Sequence, residues 1–369
     1  MDSFCALPFV HSCTNVGGRN KPCCRFKDQK YNDQISPNDY FNGDKLKTLR
    51  KKMLDGEYIS GCEKCYRDEK LKGESMRTFN NTRWKGKYTT AKPKVKYMEI
   101  GLSNLCNFSC VTCDAAYSTQ WWKDIDSVNA IGVEKAKGSE QVIYTAPPTD
   151  DMLKNLEQVK LLGGEPFMEK RNLELLQRID MSKVHLLLIT NGSINPNDKW
   201  KSILQTCPKL YISISVDGID DSAEWNRYGT SWSKVQENLP YFKNLIASKP
   251  DSYLNIHTVI HNMNIMDIDD VINWYGENID IKGRHDFDFL QFTKCLDVSI
   301  LPAKAKDYIL KNTNSKMIKT FLKNNMQNYN KEHCKVLLDY ANLLTKARKN
   351  AKMTVKTKKL LEIVSEATN

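Results

Sequence analysis

No apolar run in this 369-residue chain approaches the ~18 consecutive residues that a helical membrane span needs, so no membrane contact is expected. The first residues, Met1-Asp2-Ser3-Phe4-Cys5, lack a basic stretch followed by an apolar core. A signal peptide is therefore not expected, and the cytoplasm is the expected compartment. RGG, RNP-like and zinc-finger patterns are missing too. A shortage of apolar residues is not the reason for any of these absences. At 40% hydrophobic and 27% charged, the composition is that of a globular protein and excludes a disordered one. The length suits one large domain with a smaller one.

Charge is unevenly distributed. Residues 1–94 hold 20 basic and 11 acidic side chains, residues 95–300 hold 20 and 28, and residues 301–369 hold 15 and 5. Both ends are strongly basic around an acidic middle. Such ends leave a nucleic-acid partner open, and a lysine-rich solvated surface explains them equally well. Cysteine is abundant, with twelve in all and nine at positions 5, 13, 23, 24, 62, 65, 106, 110 and 113. In a reducing compartment that clustering indicates metal or redox chemistry rather than disulfides. Cys207, Cys295 and Cys334 stand alone in apolar or helical contexts and read as core residues.

Residues 1–90 have weak periodicity, apart from one amphipathic helix expected over Asp44–Asp55. The polar segment 80–94 reads as a connector. From residue 95 onward, strand-length apolar runs at 94–103, 158–164, 183–190, 209–216, 253–260 and 287–293 alternate with helical stretches. Those stretches lie around 115–136, 168–180, 197–206, 231–247 and 266–278. Six near-continuously apolar strands separated by helices predict an α/β fold with a parallel sheet. Six units fall short of an eight-fold barrel, so an open, partial (β/α)6 barrel is expected, its active groups where strands end and loops begin. Residues 301–369 are expected to form a helical C-terminal region. The domains are read as a small Cys-rich N-terminal domain (1–90), the partial barrel (95–300) and that helical extension (301–369).

The loop after the first of these strands reads Cys106-Asn-Phe-Ser-Cys110-Val-Thr-Cys113. Three thiolates at C-x3-C-x2-C can take three corners of a cubane and leave one iron open. A closed zinc site needs a fourth ligand, and none is nearby in sequence. The loop, with Phe108 between its first two cysteines, resembles the signature of the radical S-adenosylmethionine (SAM) superfamily. Further elements over 95–295 follow in that family's order, which implies the radical SAM type of partial barrel.

Gly163-Gly164-Glu165-Pro166 looks like the GGEP motif that holds the SAM amino group. Its glycines permit close backbone approach, and Glu165 can accept from an ammonium. In Ser213-Ile-Ser215-Val-Asp217 the odd positions share one strand face. The resemblance implies ribose binding there, by Ser215 first and Ser213 second. Arg227 matches the position that meets the SAM carboxylate, and its planar fork suits that partner. Thr190-Asn191-Gly192 resembles a feature near the cleft and is equally a turn. Val259, in His257-Thr258-Val259, matches the place where adenine packs.

A second constellation lies upstream. "CALPF", "GGRNKPCC" and "GCEKCY" resemble the cysteine pattern of SPASM and twitch domains, which implies an auxiliary 4Fe–4S cluster on Cys5, Cys23, Cys62 and Cys65. Adjacent side chains diverge, so only one of Cys23 and Cys24 is expected to serve, with Cys13 as a spare. In the better-known enzymes this module follows the barrel, whereas here it precedes it. A four-cysteine zinc site has the same C-x2-C spacing and stays open.

The resemblance implies an enzyme with a SAM-binding 4Fe–4S cluster, SAM and an auxiliary cluster. It would reductively cleave SAM to a 5′-deoxyadenosyl radical that abstracts hydrogen from a substrate. A peptide or protein substrate and a reductant such as flavodoxin or ferredoxin are the implied partners. Modification of a nucleotide or RNA is the alternative. A non-catalytic Cys-rich metal-binding module is a third reading, but it leaves the GGEP motif and the serine strand unexplained. No catalytic acid or base is singled out.

Overall fold

The computed structural model describes residues 3–133, 135, 142–229 and 231–368. The chain divides into two compact units that interleave in sequence. The first comprises Met1–Asn104, Ile143–Leu188 and Pro196–Leu210, and the second Leu105–Val142, Ile189–Asn195 and Tyr211–Asn369.

In the first unit, β1 (His11–Thr14), β2 (Tyr97–Gly101), β3 (Gln158–Leu162) and β4 (His185–Thr190, whose end passes to the second unit) lie side by side, all parallel. The two-residue strand Asn20–Lys21 closes the edge beside β1, antiparallel to it. Every residue of β1 and β2 is buried, as expected for parallel strands covered on both faces. The sequence reading missed β1, because His-Ser-Cys-Thr carries no apolar signal. The helix expected over Asp44–Asp55 forms as α1 (Asp44–Leu54) and buries Leu46, Leu49 and Met53. The expected connector is partly ordered structure. After α2 (Glu63–Lys72) comes α3 (Met76–Arg83), started by a Ser75–Thr78 capping box and followed by Trp84, which is 2% exposed. Helices α4 (Lys170–Gln177) and α5 (Asp198–Thr206) follow β3 and β4.

The second unit contains the rest of the strands. β5 (Lys209–Ser215), β6 (Tyr253–Ile260) and β7 (Gly283–Phe289) run parallel, with Ile212 opposite Leu254 and Leu254 opposite Gly283. Helices α6 (Trp232–Ala247) and α7 (Ile268–Asn278) connect them. The last strand begins four residues before the expected apolar run. The helix expected around 115–136 is shorter, a single 3-10 turn at Thr119–Trp121 and a helix at Ile125–Ala130. The C-terminal region is helical: α8 (Ala303–Asn312), α9 (Lys316–Asn324), α10 (Lys331–Ala347) and α11 (Val355–Thr368). Its apolar side chains share one core with Val111, Trp121 and Trp225. No helix among the described residues is long and apolar enough to cross a membrane.

Buried polar groups in this unit carry a pH dependence. His261 is fully buried, and its Nδ1 accepts from the Met263 amide. Burial lowers its pKa to about 4, although Asp217 pulls the other way. Between pH 6.5 and 4 the unfolded chain binds a proton that the folded ring refuses. Stability is therefore lost as pH falls through that window, by about 3 kcal/mol from this ring. Urea midpoints measured from pH 7 down to 4 will decline along this course, and His261→Gln will flatten the decline. An unchanged slope in that variant would assign the loss to other groups.

Candidate active site

The cysteine loop lies wholly in the second unit. Cys110 is buried, while Cys106 and Cys113 are half-buried, and none of the three is in a disulfide. Burial first, then Cys110 and Cys106, raise the Cys113 thiol, so the three sulfurs share one electrostatic environment. The loop is pinned through its backbone carbonyls, which a cluster would not use. Thr119 Oγ1 donates to the Cys106 carbonyl at 3.1 Å, and Ser118 donates to that of Phe108. Trp121 Nε1 donates to the Cys110 carbonyl at 3.1 Å. The Val111 carbonyl accepts from Lys135 Nζ at 2.9 Å and from the Tyr340 hydroxyl at 3.2 Å, and Lys135 also donates to the Cys113 carbonyl. Arg348, 2% exposed, donates to the carbonyls of Ser109 (2.6 Å) and Trp225. Sequence reasoning missed Lys135, Tyr340 and Arg348. Nothing local marks them, because they act across a long stretch of chain.

A two-stranded ladder aligns the loop with the next expected residue. Ser109 pairs with Tyr228, and Cys110 with Arg227. Arg227 Nη1 donates to Asp217 Oδ2 at 2.7 Å, and Asp217 Oδ1 accepts from the Val259 amide at 2.9 Å. Burial lowers the affinity of Arg227 for its proton, but Cys110 and Asp217 outweigh it and the pKa is raised. The Arg227 Nε is buried and has no acceptor among the described residues. An orphan guanidinium donor beside a cysteine loop is what a bound carboxylate would satisfy.

Phe108, Ser215 and Arg227 line one pocket, along with Asn191 of the turn expected near the cleft and with Glu224 and Trp232, which the sequence reading did not assign to a site. Ser213 is buried and hydrogen-bonded to the Asn255 side chain at 3.1 Å. Val259 contributes its backbone to Asp217 and packs against the core. The Thr190-Asn191-Gly192 turn has a second role, since Asn191 Nδ2 donates to Asn107 Oδ1 at 2.8 Å inside the cysteine loop. Asn107 in turn donates to Ser193 Oγ at 3.0 Å.

The GGEP segment belongs to the first unit. Gly163 has φ +111°, and a Cβ there would lie 2.3 Å from the Ser103 carbonyl oxygen. The Gly164 amide donates to that same oxygen at 3.1 Å. Only glycine permits that approach. Glu165 is 2% exposed and accepts weakly from the Phe167 amide at 3.3 Å.

In the same unit, Cys5, Cys62 and Cys65 are buried. Burial first, then Cys62 and Cys65, raise the Cys5 thiol to about 12, with Arg77 opposing. Burial raises the Cys23 thiol, and Cys5 adds to it. Cys62 is the N-cap residue of α2, and burial first, then Cys65, raise its thiol to about 12. Cys24 has another environment, where Glu99 and Lys160 are its charged neighbours and its sulfur lies 3.9 Å from Met76 Sδ.

Comparison with known proteins supplies the family. Residues 100–275 match the profile described as Radical SAM superfamily. The chain is 23% identical over 243 residues to 7,8-dihydro-6-hydroxymethylpterin dimethyltransferase of Methanocaldococcus jannaschii, covering 62% of this chain and 46% of that protein. It thus spans about half the length of that curated relative. Among solved structures, SuiB of Streptococcus suis bound to S-adenosylmethionine is 13% identical at a TM-score of 0.36, with 84% of this chain and 54% of that one covered. The anSMEcpe structure with bound AdoMet is 18% identical at a TM-score of 0.40, with coverages of 70% and 66%. Proteins with this domain use a 4Fe–4S cluster and SAM, and three cysteines outside any disulfide and the orphan Arg227 donor fit such a pair. Residues 100–275 thus form a radical SAM superfamily domain.

Proposed function

We propose that the chain reductively cleaves SAM and removes hydrogen from a peptide or protein substrate. The observation that carries this is the loop of three cysteines outside any disulfide, braced at six backbone carbonyls and laddered to Arg227. Cys106, Cys110 and Cys113 hold the cluster, which when bound supplies the electron for cleavage of the sulfonium bond. Arg227 takes the SAM carboxylate through its unpaired Nε and Ser215 the ribose, while Glu165, in the first unit, is a carboxylate suited to an ammonium. Lys135, its pKa lowered to about 8 by burial against the pull of Cys113, places positive charge beside the loop and favours thiolates. Cys5, Cys23, Cys62 and Cys65 hold the auxiliary cluster. That N-terminal pattern supports the peptide substrate, and a flavodoxin or ferredoxin donates the electron.

The test is anaerobic reconstitution with iron and sulfide, then incubation with SAM and dithionite. About eight irons per chain and 5′-deoxyadenosine are expected. Replacing Cys106, Cys110 and Cys113 together by alanine will remove about half the iron and all the 5′-deoxyadenosine. Residual cleavage in that variant would overturn the reading. A methyl-transfer reading is favoured by the name of the curated relative, and S-adenosylhomocysteine in place of 5′-deoxyadenosine would select it.

A further inference from the structure

Three strands of the first unit bring an unusual set of side chains to one face. In β1 and β2 the register places His11 opposite Tyr97 and Cys13 opposite Glu99. In β2 and β3 it places Glu99 opposite Lys160. Alternate residues of a strand share a face, so His11, Cys13, Tyr97, Glu99 and Lys160 form one polar island in a sheet of buried strands. His11 is 1% exposed, Cys13 0% and Glu99 1%. One ligating atom from each lies within 4.8 Å of the other two.

Hydrogen bonding accounts for only part of this island. Glu99 accepts from the Tyr97 hydroxyl and, at 3.7 Å, from the Cys13 thiol, and Lys160 Nζ lies 3.8 Å away. His11 is different. Neither of its ring nitrogens has a hydrogen-bond partner among the described residues. Nε2 stands 3.9 Å from Glu99 Oε1, outside hydrogen-bonding range, and the Pro22 backbone, a polar neighbour that raises the ring's pKa, does not meet the geometry of a hydrogen bond to it. The ring is nonetheless held in place, stacked on Tyr97 with centroids 4.4 Å apart. A buried, oriented imidazole with no partner is costly unless something binds it.

We infer that His11, Cys13 and Glu99 form a mononuclear binding site for a borderline divalent cation, zinc. The ligand chemistry selects the ion. Imidazole, thiolate and carboxylate together suit zinc better than hard magnesium or calcium, which favour all-oxygen sites. A thiolate and a carboxylate neutralise a divalent charge, and the Cys13 proton leaves to solvent on binding. Tyr97 supplies the outer support that metal sites use, since it stacks on one ligand and hydrogen-bonds another. Cys24, which has Cys13 and Glu99 as electrostatic neighbours, is the available fourth ligand, with Lys160 balancing the extra negative charge. The site uses none of Cys5, Cys23, Cys62 and Cys65, the four thiols proposed above for the auxiliary cluster.

The experiment uses the full chain, anaerobically reconstituted with iron and sulfide, given one equivalent of zinc and passed through a desalting column. Zinc and iron are counted by mass spectrometry, and coordination is read by X-ray absorption at the zinc edge. About one retained zinc is expected, with one or two sulfurs at about 2.3 Å and nitrogen or oxygen at about 2.0 Å. Cys13→Ser and Glu99→Gln will each weaken zinc retention by about tenfold or more and leave iron unchanged. Glu99→Gln preserves side-chain volume and serves if the serine variant fails to fold. Failure to retain zinc would overturn the site, as would retention indifferent to both substitutions. A shell of four sulfurs would also overturn it and assign the metal to Cys5, Cys23, Cys62 and Cys65.

Discussion

Gly229→Ala will empty the cysteine loop of iron while the chain remains folded. Gly229 has φ +139°, where side chains are strained, and a Cβ would sit 2.2 Å from the Asn107 carbonyl oxygen and 3.0 Å from Phe108 Cα. Both contacted residues lie between Cys106 and Cys110, and they can retreat only by giving up the hydrogen bonds that hold the loop. Asn107 is held by Asn191 and Ser193, and the Phe108 carbonyl by Ser118. Backbone strain of roughly 1–3 kcal/mol and the clash are therefore relieved by displacing the loop or breaking the Cys110–Arg227 ladder. Iron should fall by about one cluster, and SAM cleavage by about a hundredfold or more, since a 1 Å misplacement alone costs that much. Gly86→Ala is the control, because Gly86 shares a positive φ of +72° with nothing within 4 Å of a Cβ. Full iron content in Gly229→Ala would mean that the loop tolerates more movement than its hydrogen bonds allow.

Arg348→Met will cost about 2–5 kcal/mol, since the carbonyls of Ser109 and Trp225 each lose a buried donor worth about 1–3 kcal/mol. The guanidinium also stacks within 5.2 Å of the Trp225 ring centroid and 5.6 Å of that of Tyr228, and methionine replaces only the packing. Burial lowers the pKa of Arg348, with Tyr340 and Cys110 opposing. Melting should fall by several degrees, and iron should leave the loop faster under chelator. Arg348→Lys keeps the charge without the two-pronged geometry and should fall between the two. A melting temperature unchanged in Arg348→Met would show that solvent or a neighbour satisfies both carbonyls.

Where the sequence was legible follows from distance along the chain. Cys106, Cys110 and Cys113 fall within eight residues, and their spacing alone states the chemistry. Five of the six expected strands were readable because a doubly covered parallel strand must be apolar on both faces. The last, Gly283–Phe289, was misplaced because Arg284, His285, Asp286 and Asp288 interrupt it. β1 was not, since the face it contributes holds His11 and Cys13, and the polar residues that hid the strand are those that make it chemically interesting. The bracing of the cysteine loop was equally hidden. Lys135, Tyr340 and Arg348 look like ordinary members of Lys- and Leu-rich segments until folding sets them against particular carbonyls. Asp217 could be found by alternation with Ser213 and Ser215, but its pairing with Arg227 rather than with solvent could not.

The bond from Arg348 to the Ser109 carbonyl closes a loop of 239 positions. During synthesis the three cysteines leave the ribosome long before the arginine that fixes the backbone between them. At about 5–20 residues per second, the nascent chain carries an unbraced thiol loop for some tens of seconds. A cluster inserted before translation ends would meet a loop without this brace, and that unfinished loop is a stage at which adventitious metal or an oxidant can intervene.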